Sequence, residues 1–216
     1  MGGARPKAAV TLENGRLGIA KFPHASDQWD VMNWEYHALE SYRLAGARVA
    51  EAQTITVGDT TVLVLQRFDR GQHGQRISFI SAMTATGKRD GEAADYLDIV
   101  DAIRHISGDI EGDLEELFRR ATLNVVLGNT DDHLRNHAFL SRKEHWFLSP
   151  AFDVNPNPQL HARRATSIVG AAQFPEEVHA LHPLAEECGL TTLRAKQIVE
   201  EIIAAAEHWE LESVEQ

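Results

Sequence analysis

The first third of the chain alternates short apolar runs with glycine-containing turns, a pattern typical of β-hairpins. The turns are Asn14-Gly15 and Gly58-Asp59, and an Asn-Gly pair is a strong hairpin signal. The apolar runs around them predict four strands, at residues 8–12, 17–22, 49–57 and 61–65. Residues 27–45 instead carry apolar side chains at helical spacing, between a polar cap at Ser26 or Asp27 and the stop signal Gly46. This part of the chain therefore predicts a small sheet with one helix.

Helical periodicity dominates the rest of the chain. Four helices are predicted, at residues 93–107, 113–127, 175–188 and 192–209. Two short apolar segments, 137–140 and 146–148, flank the polar turn 141–144 and predict one more hairpin. Residues 72–88 have a mixed pattern that predicts no element, and residues 154–172 lack periodicity and indicate a loop. The whole pattern predicts an α+β fold with a β-rich N-terminal part and a mostly helical C-terminal part.

Composition narrows the classes of protein to consider. A chain of 216 residues can bury one substantial core or two small lobes. Its net charge of −11 argues against direct binding of nucleic acid, which needs a basic face. One cysteine cannot form an internal disulfide, and no apolar run has the length of a membrane span or a signal core. We expect a cytoplasmic protein without membrane contact.

The segment 123–153 carries the candidate chemistry. Asp131 and Asn136 are separated by four residues in a loop that opens after Gly128, and the predicted hairpin returns the chain so that Asp153 lies beside Asn136. Asp, Asn, a hairpin and a second Asp follow one another in this order in the catalytic and metal loops of protein kinases. Asp and Asn are also common in ordinary loops. The pair alone is a weak signal, and the hairpin with Asp153 strengthens it.

Two local sequences carry a family resemblance, Gly-Asn-Thr-Asp-Asp-His-Leu-Arg-Asn-His at 128–137 and Leu-Ser-Pro-Ala-Phe-Asp-Val at 148–154. They resemble the HipA-type serine/threonine kinases, toxins of bacterial toxin–antitoxin modules. The resemblance implies that Asp131 deprotonates or orients the attacking hydroxyl, and that Asn136 and Asp153 hold Mg²⁺. For His133 we expect a role in bracing the loop or touching phosphate and not in binding a metal ion. His133 and His137 have the spacing of a zinc pair but lack a third ligand.

The N-terminal part carries the remaining nucleotide-binding predictions. Gly-Gly-Ala-Arg-Pro-Lys at 2–7 resembles the loop that covers the ATP phosphates in this family, although a frayed terminus is the alternative. Lys21 matches the strand lysine that contacts the α- and β-phosphates, with Glu35 as its expected partner. The alternatives are an edge lysine and a solvated glutamate. Arg-Phe-Asp-Arg at 67–70 resembles the hinge between lobes. The residues predicted to bind the cofactor ATP are Gly2, Gly3, Ala4, Arg5, Lys7, Lys21, Gln66, Arg67, Phe68, His133, Asn136 and Asp153.

The resemblance implies a protein-kinase-like two-lobe fold, with a small incomplete N-lobe at 1–70 and a helical C-lobe at 71–216. It implies ATP- and Mg²⁺-dependent phosphorylation of a serine or threonine on a translation-related protein, growth arrest and persistence, and a helix-turn-helix antitoxin of the HipB kind as partner. Family members carry a further N-terminal region ahead of the glycine loop, so we expect this chain to be N-terminally truncated or an unusually short member. Two alternatives fit the same residues: a catalytically silent fragment or antitoxin-binding module, and a small-molecule phosphotransferase.

Overall fold

The computed structural model describes residues 5–159 and 161–214, with side chains as far as 207. Its N-terminal part is an antiparallel four-stranded sheet in the order β1-β2-β4-β3, with α1 inserted between β2 and β3. The elements are β1 (Lys7–Thr11), β2 (Leu17–Lys21), α1 (Val31–Leu44), β3 (Ala52–Val57) and β4 (Thr60–Gln66). The register places Lys7 opposite Lys21. Directly opposed residues project from the same face of a sheet, so both ammonium groups belong to one face.

Helix α1 begins later than the sequence pattern predicts. The predicted caps Ser26 and Asp27 are wrong, because the cap is Asp30, whose carboxylate accepts the Asn33 backbone N–H at 3.1 Å. Asp27 is engaged elsewhere, since its carboxylate accepts two hydrogen bonds from Arg5. Several consecutive polar residues precede the helix, and tertiary contacts decide which of them caps it.

Helices make up most of the C-terminal part. Its elements are β5 (Phe79–Ser81), α2 (Ala82–Thr86), β6 (Ala94–Asp95), α3 (Tyr96–Ile106), α4 (Ile110–Val126), β7 (Ala138–Arg142), β8 (His145–Leu148), β9 (Thr166–Ser167), α5 (Glu176–Glu187) and α6 (Thr192–Val214). β7 and β8 form the predicted hairpin, with β5 added on the other side of β7. β6 and β9 form a short parallel pair.

One large hydrophobic core joins both parts of the described chain. It contains Met32 and Leu39 from α1, Leu63 from β4, and Leu117 from α4, each 1% exposed or less. Backbone hydrogen bonds also connect the two parts. The Ala151 N–H donates to Arg48 O at 2.7 Å, and Ala151 O accepts from the Ala50 N–H at 3.1 Å. The chain that leads to Asp153 is thereby held against the chain that leads into β3. No helix in the described ranges is long and apolar enough to cross a membrane.

Candidate active site

A cavity of about 720 Å³ lies between the four-stranded sheet and the helical part. Its lining comes from both, namely Lys7, Ile19, Lys21, Ala50, Leu65, Gln66, Arg67, Phe68, Asp69, Phe79, His133, Arg135, Asn136, Phe152 and Asp153. This volume is in the range of pockets that bind small ligands and cofactors. Eight of the predicted site residues line it, and all eight belong to the predicted cofactor-binding set: Lys7, Lys21, Gln66, Arg67, Phe68, His133, Asn136 and Asp153. Asn136 and Asp153 are also the predicted metal ligands.

Lys21 forms the polar centre of the cavity. Its ammonium donates to Glu35 Oε1 at 2.6 Å and to Asp153 Oδ1 at 2.5 Å. The predicted pairing of Lys21 with Glu35 is thus confirmed. Burial alone would lower the pKa of Lys21, but the two carboxylates outweigh it and raise that pKa above its ordinary value. The lysine therefore stays charged, and it joins β2, α1 and the segment after β8 at one point.

Asp153 and Asn136 meet as the hairpin predicts. The Asn136 side-chain N–H group donates to the carbonyl oxygens of Asp131, at 3.2 Å, and Asp153, at 3.4 Å. With the amide nitrogen used twice, the amide oxygen of Asn136 is left to accept or coordinate. Burial would raise the pKa of Asp153, but Lys21 lowers it below the ordinary value. Asp153 has a φ of 59°, an uncommon backbone conformation for a residue other than glycine.

Asp131 and Asp132 point in opposite directions from the loop between α4 and β7. The Asp131 side chain is exposed and is not among the groups that line the cavity, whereas Asp132 is 5% exposed. The loop is a tight turn, since His133 N–H donates to Asp131 O at 2.9 Å and Asn136 N–H donates to His133 O at 2.8 Å. Asp131 therefore stands at the surface of a fixed loop whose other end carries Asn136.

His133 lies on the cavity side of this loop. Its Nδ1 atom is buried and has no hydrogen-bond partner within the described residues. A buried polar atom without a partner is costly, and a ligand oxygen or a water in the cavity would satisfy it. The charge of an imidazolium here would also lower the pKa of Asp153. The position suits the predicted contact with phosphate.

The predicted hinge follows β4, and its two arginines both bind the carboxylate of Asp69. Arg67 donates to both carboxylate oxygens of Asp69, at 2.8 and 2.5 Å, and Arg70 donates to the same group at 2.6 Å. The backbone N–H groups of Gln66 and Arg67 are used within the sheet region, by Glu51 O and Leu17 O. Phe68 is the first hinge residue whose N–H makes no hydrogen bond to the described part of the chain.

Three phenylalanine rings line one side of the cavity. Phe68 lies 5.3 Å from Phe152 and 6.4 Å from Phe79, measured between ring centroids. Phe79 and Phe152 were not predicted as site residues, nor was Arg135, whose side chain pairs with Asp90. Phe79 lies within residues 72–88, where the pattern predicts no element. The short apolar run around Ile77 and Ile80 is the signal that indicates a strand there.

The predicted phosphate loop is placed only in part. Gly2, Gly3 and Ala4 lie outside the described residues. Arg5 is paired with Asp27 at 3.0 Å and does not line the cavity, whereas Lys7 does. Lys7 is also close enough that its charge lowers the pKa of Asp153. Of Arg5, Lys7 and Lys21, the lysines are the two that line the cavity.

The residues after Asp153 are fixed against the loop that carries Asp131. The Arg164 guanidinium is buried, bonds to Glu177, and donates at 2.9 Å to the carbonyl oxygens of Asn129 and Asn124. Ala165 N–H donates to Thr130 O at 2.9 Å. The sequence predicts no site residue in this segment, because its basic residues are not spaced as in a helix or a strand.

The donor set restricts any metal site. Over residues 5–159 and 161–214, no group of three or more His, Cys, Asp or Glu side chains is arranged to hold a metal ion. Asp153 and Asn136 both line the cavity, and the Asn136 side-chain N–H donates to the backbone carbonyl of Asp153. Mg²⁺ in nucleotide sites is commonly held by one or two protein oxygen ligands, with phosphates and waters supplying the rest. The residues present fit that manner of binding and not a site formed by protein alone.

Comparisons with known proteins identify the family and the fold. The family model described as "HipA-like C-terminal domain" matches residues 1–209. HipA of Shewanella oneidensis MR-1, solved in a toxin–antitoxin complex with HipB and its operator DNA, superposes with a TM-score of 0.71 at 17% identity, over 95% of this chain and 57% of that chain. The proinflammatory kinase CtkA of Helicobacter pylori superposes with a TM-score of 0.63 at 14% identity, over 93% of this chain and 90% of that chain. Comparison with curated protein sequences gives no significant match. The predicted kinase-like α+β fold is confirmed, and the chain spans 57% of the length of the HipA structure.

Proposed function

This chain belongs to the HipA-like C-terminal domain family, and from that premise we propose that it is a phosphotransferase that uses ATP and Mg²⁺ to phosphorylate serine or threonine on a protein. The observation that carries the proposal is Lys21, which bridges Glu35 and Asp153 within the cavity, with Asn136 beside Asp153. Glycine loop, strand lysine, helix glutamate, Asp-x4-Asn and a distal Asp are the parts that kinases use for phosphoryl transfer.

The cavity suits a nucleotide because one side is apolar and the other is polar. Phe68, Phe79 and Phe152 form the apolar side, where an adenine ring would be held against aromatic faces. The Phe68 N–H group is the hinge donor available to the base. Lys7 and Lys21 would then lie toward the phosphates, since both ammonium groups face the cavity.

The residues near Asp153 would position the phosphates and their metal ion. Asn136 would supply its amide oxygen and Asp153 a carboxylate oxygen as ligands. Bound Mg²⁺ supplies charge neutralisation on the transferring phosphoryl group. Lys21 holds one oxygen of Asp153 and thus fixes the orientation of that carboxylate, while His133 would donate to a phosphate oxygen.

Asp131 would accept or orient the proton of the attacking hydroxyl. Its carboxylate is exposed at the edge of the loop, so a protein side chain can reach it from solvent. The loop backbone fixes its distance from Asn136, which would hold the metal-bound phosphate. Catalysis would then come from positioning and electrostatic stabilisation.

A translation-related substrate, growth arrest and an antitoxin partner belong to the same proposal. The HipA structure similar to this chain is a complex with HipB and operator DNA, which supports a HipB-like antitoxin as partner. The net charge of −11 favours contact with DNA through such a partner and not through this chain.

Transfer of label from [γ-³²P]ATP tests the proposal directly. The chain is incubated with Mg²⁺ and a cell protein extract as acceptor pool, and labelled protein is hydrolysed to identify phosphoserine and phosphothreonine. We expect label with the unaltered chain and with the control Asp101→Asn, a carboxylate 75% exposed on α3. Asp131→Asn should lose transfer and keep ATP binding. Equal transfer by Asp131→Asn would exclude its role, and a folded chain that neither binds ATP nor transfers label would exclude the function.

A further inference from the structure

A continuous chain of buried polar side chains runs behind the loop that carries Asp131. The Tyr42 hydroxyl donates to Asn124 Oδ1 at 2.5 Å, and Asn124 Nδ2 donates to the Tyr96 hydroxyl at 2.9 Å. The Tyr96 hydroxyl in turn donates to Asp132 Oδ2. His137 Nε2 lies 2.9 Å from the same oxygen. All five side chains are buried, between 0 and 5% exposed.

This series of hydrogen-bonded side chains contacts the loop at both of its ends. Asp132 directly follows Asp131, and His137 directly follows Asn136. Asn136 lines the cavity and Asp131 is exposed to solvent, whereas their neighbours His137 and Asp132 are buried. The bond between Asp132 and His137 therefore fixes how far apart the backbone holds Asp131 and Asn136.

The hydrogen-bond directions form one consistent series. Each hydroxyl donates toward Asp132, and Asn124 accepts with its oxygen and donates with its nitrogen. Asn129 adds a branch, because its side-chain N–H donates to Asn124 Oδ1 at 2.6 Å. Two buried atoms of this network, His137 Nδ1 and Asn129 Oδ1, have no hydrogen-bond partner among the described residues. The bonds that are formed lie in a low dielectric, which strengthens them and favours one arrangement of these side chains.

The electrostatics keep Asp132 ionised. Burial would raise its pKa, but His137, the Tyr96 hydroxyl and the nearby Arg164 together lower that pKa below the ordinary value. An ionised carboxylate accepts from two donors at once, and a buried one needs both of them.

Tyr42, the last residue of the hydrogen-bonded series, lies on the helix that carries Glu35. Tyr42 is seven residues after Glu35 in α1, which is close to two helical turns, so both project from similar faces. Glu35 holds Lys21, and Tyr42 holds Asn124. The position of α1 is thereby connected to the Lys21 side of the cavity and to the loop behind Asp131.

We propose that Asp132 is a positioning residue for phosphoryl transfer, which closes the Asp131–Asn136 loop with His137 and connects it through Tyr96, Asn124 and Tyr42 to α1. The inference rests on the proposed function for its catalytic consequence. Its structural part, the ordering of the loop, stands independently and has its own measurement.

Three variants test the hydrogen-bonded series, in order of increasing distance from the loop: Asp132→Asn, Tyr96→Phe and Tyr42→Phe. The two phenylalanine variants remove one oxygen each and keep the ring packing, so they remain informative where Asp132→Asn fails to fold. Turnover should fall most for Asp132→Asn, by roughly 10²-fold for a loop displaced by about 1 Å. It should fall less for Tyr96→Phe and least for Tyr42→Phe, while the Kd for ATP stays near that of the unaltered chain.

The hydrogen-exchange rates of the His133 and Asn136 backbone amides report the order of the loop and can be measured in a protein without kinase activity. Both amides are bonded within the loop and should exchange faster in the variants, in the same order. Leu184→Ala is the control, because it removes volume from the fully buried core in α5 without touching the polar chain. Leu184→Ala should lower the melting temperature and leave exchange of these two amides and turnover unchanged.

The outcomes distinguish failure of the proposed kinase function from failure of the ordering role of Asp132. A chain with no ATP binding and no transfer contradicts the proposed function, and faster loop exchange in Asp132→Asn still supports the ordering role. Unchanged loop exchange in Asp132→Asn overturns the inference even where the chain is an active kinase. Loss of turnover in Leu184→Ala equal to that in Tyr96→Phe overturns it also, because general destabilisation would then explain both.

Discussion

Lys21 shows at the scale of a single residue how a buried charge is stabilised. A buried ammonium is costly unless it is paired, and here two carboxylates share it. Each of those carboxylates comes from a different element, so one charge connects three parts of the chain. Removal of the lysine leaves Glu35 and Asp153 close together with no cation between them.

Lys21→Met should therefore destabilise the protein strongly. Breaking a buried ion pair costs about 3–5 kcal/mol, because an uncompensated charge stays buried. The second change Glu35→Gln should recover part of that loss, since it removes one of the two orphaned charges. Urea denaturation at pH 7 measures both. Additive losses in the double variant would show that Glu35 and Lys21 do not depend on each other.

Asp131 and Asp132 illustrate what sequence can and cannot assign at this scale. The motif register selects Asp131, and the exposure of its side chain is compatible with that choice. The burial of Asp132 against Tyr96 and His137 was not predicted, because Tyr96 lies 36 positions away in the chain. Two adjacent aspartates have the same chemistry, and only tertiary contacts give them different roles.

The stabilising effect of Asp132 should depend on pH. Its pKa in the folded protein is below the ordinary 3.8, so the unfolded chain takes up a proton at a higher pH than the folded protein. The contribution is present in full above about pH 5 and decreases as the pH falls through the folded pKa. The gap in unfolding free energy between the unaltered chain and Asp132→Asn should narrow between pH 5 and pH 3. The groups facing this carboxylate are Tyr96, His137 and Arg164, and a gap that stays constant would mean that none of them stabilises the charged form.

At the scale of elements, local signals were sufficient where a segment is amphipathic or ends in a tight turn. The two N-terminal hairpins, α3, α4 and the β7–β8 hairpin appear where the pattern predicts them, within a few residues. β5 was not predicted, because its apolar run is short and its three residues form a strand by pairing with β7. β6 and β9 are two residues each and depend on Asp95, which caps α3 and also accepts from Ser167, Val169 and Gly170. No local pattern contains that information.

Gly128 follows α4 at the start of the loop that carries Asp131, and it should not tolerate a side chain. Its φ is +67°, and an added Cβ would lie 3.0 Å from the carbonyl oxygen of Asn157. Gly128→Ala should cost about 1 kcal/mol for the left-handed conformation, and more for the contact. It should also slow phosphate transfer, because Asn157 N–H bonds to Gly128 O at 3.0 Å and holds the segment after Asp153.

Gly189→Ala is the matched control for that substitution. Gly189 has a φ of +72° with nothing within 4 Å of an added Cβ, so it reports the conformational cost alone. Thermal unfolding of both variants gives the comparison. Equal losses in melting temperature would show that the Asn157 contact adds nothing.

At the scale of the whole molecule, the cavity belongs to neither part of the chain alone. Lys7, Lys21 and the hinge come from the sheet, whereas His133, Asn136 and Asp153 come from the helical part. Sequence order predicted this set because kinase motifs follow a fixed order along the chain. It did not predict that one hydrophobic core joins both parts, and the division at residue 70 remains a prediction.

A ligand that bridges both parts should stabilise the fold as one unit. Binding to the folded state alone adds RT ln(1 + [L]/Kd), about 2.7 kcal/mol at a hundredfold excess over Kd. We therefore expect ATP with Mg²⁺ to raise the melting temperature in a single transition, and ATP with EDTA to raise it less. Asp153→Ala should lose the Mg²⁺-dependent part, because Asn136 alone is a poor site for a hard cation. Asp101→Asn should respond as the unaltered chain does. A shift that is the same with and without Mg²⁺ would mean that Asp153 and Asn136 do not hold the metal ion, and two separate transitions would mean that the nucleotide contacts only one part of the cavity.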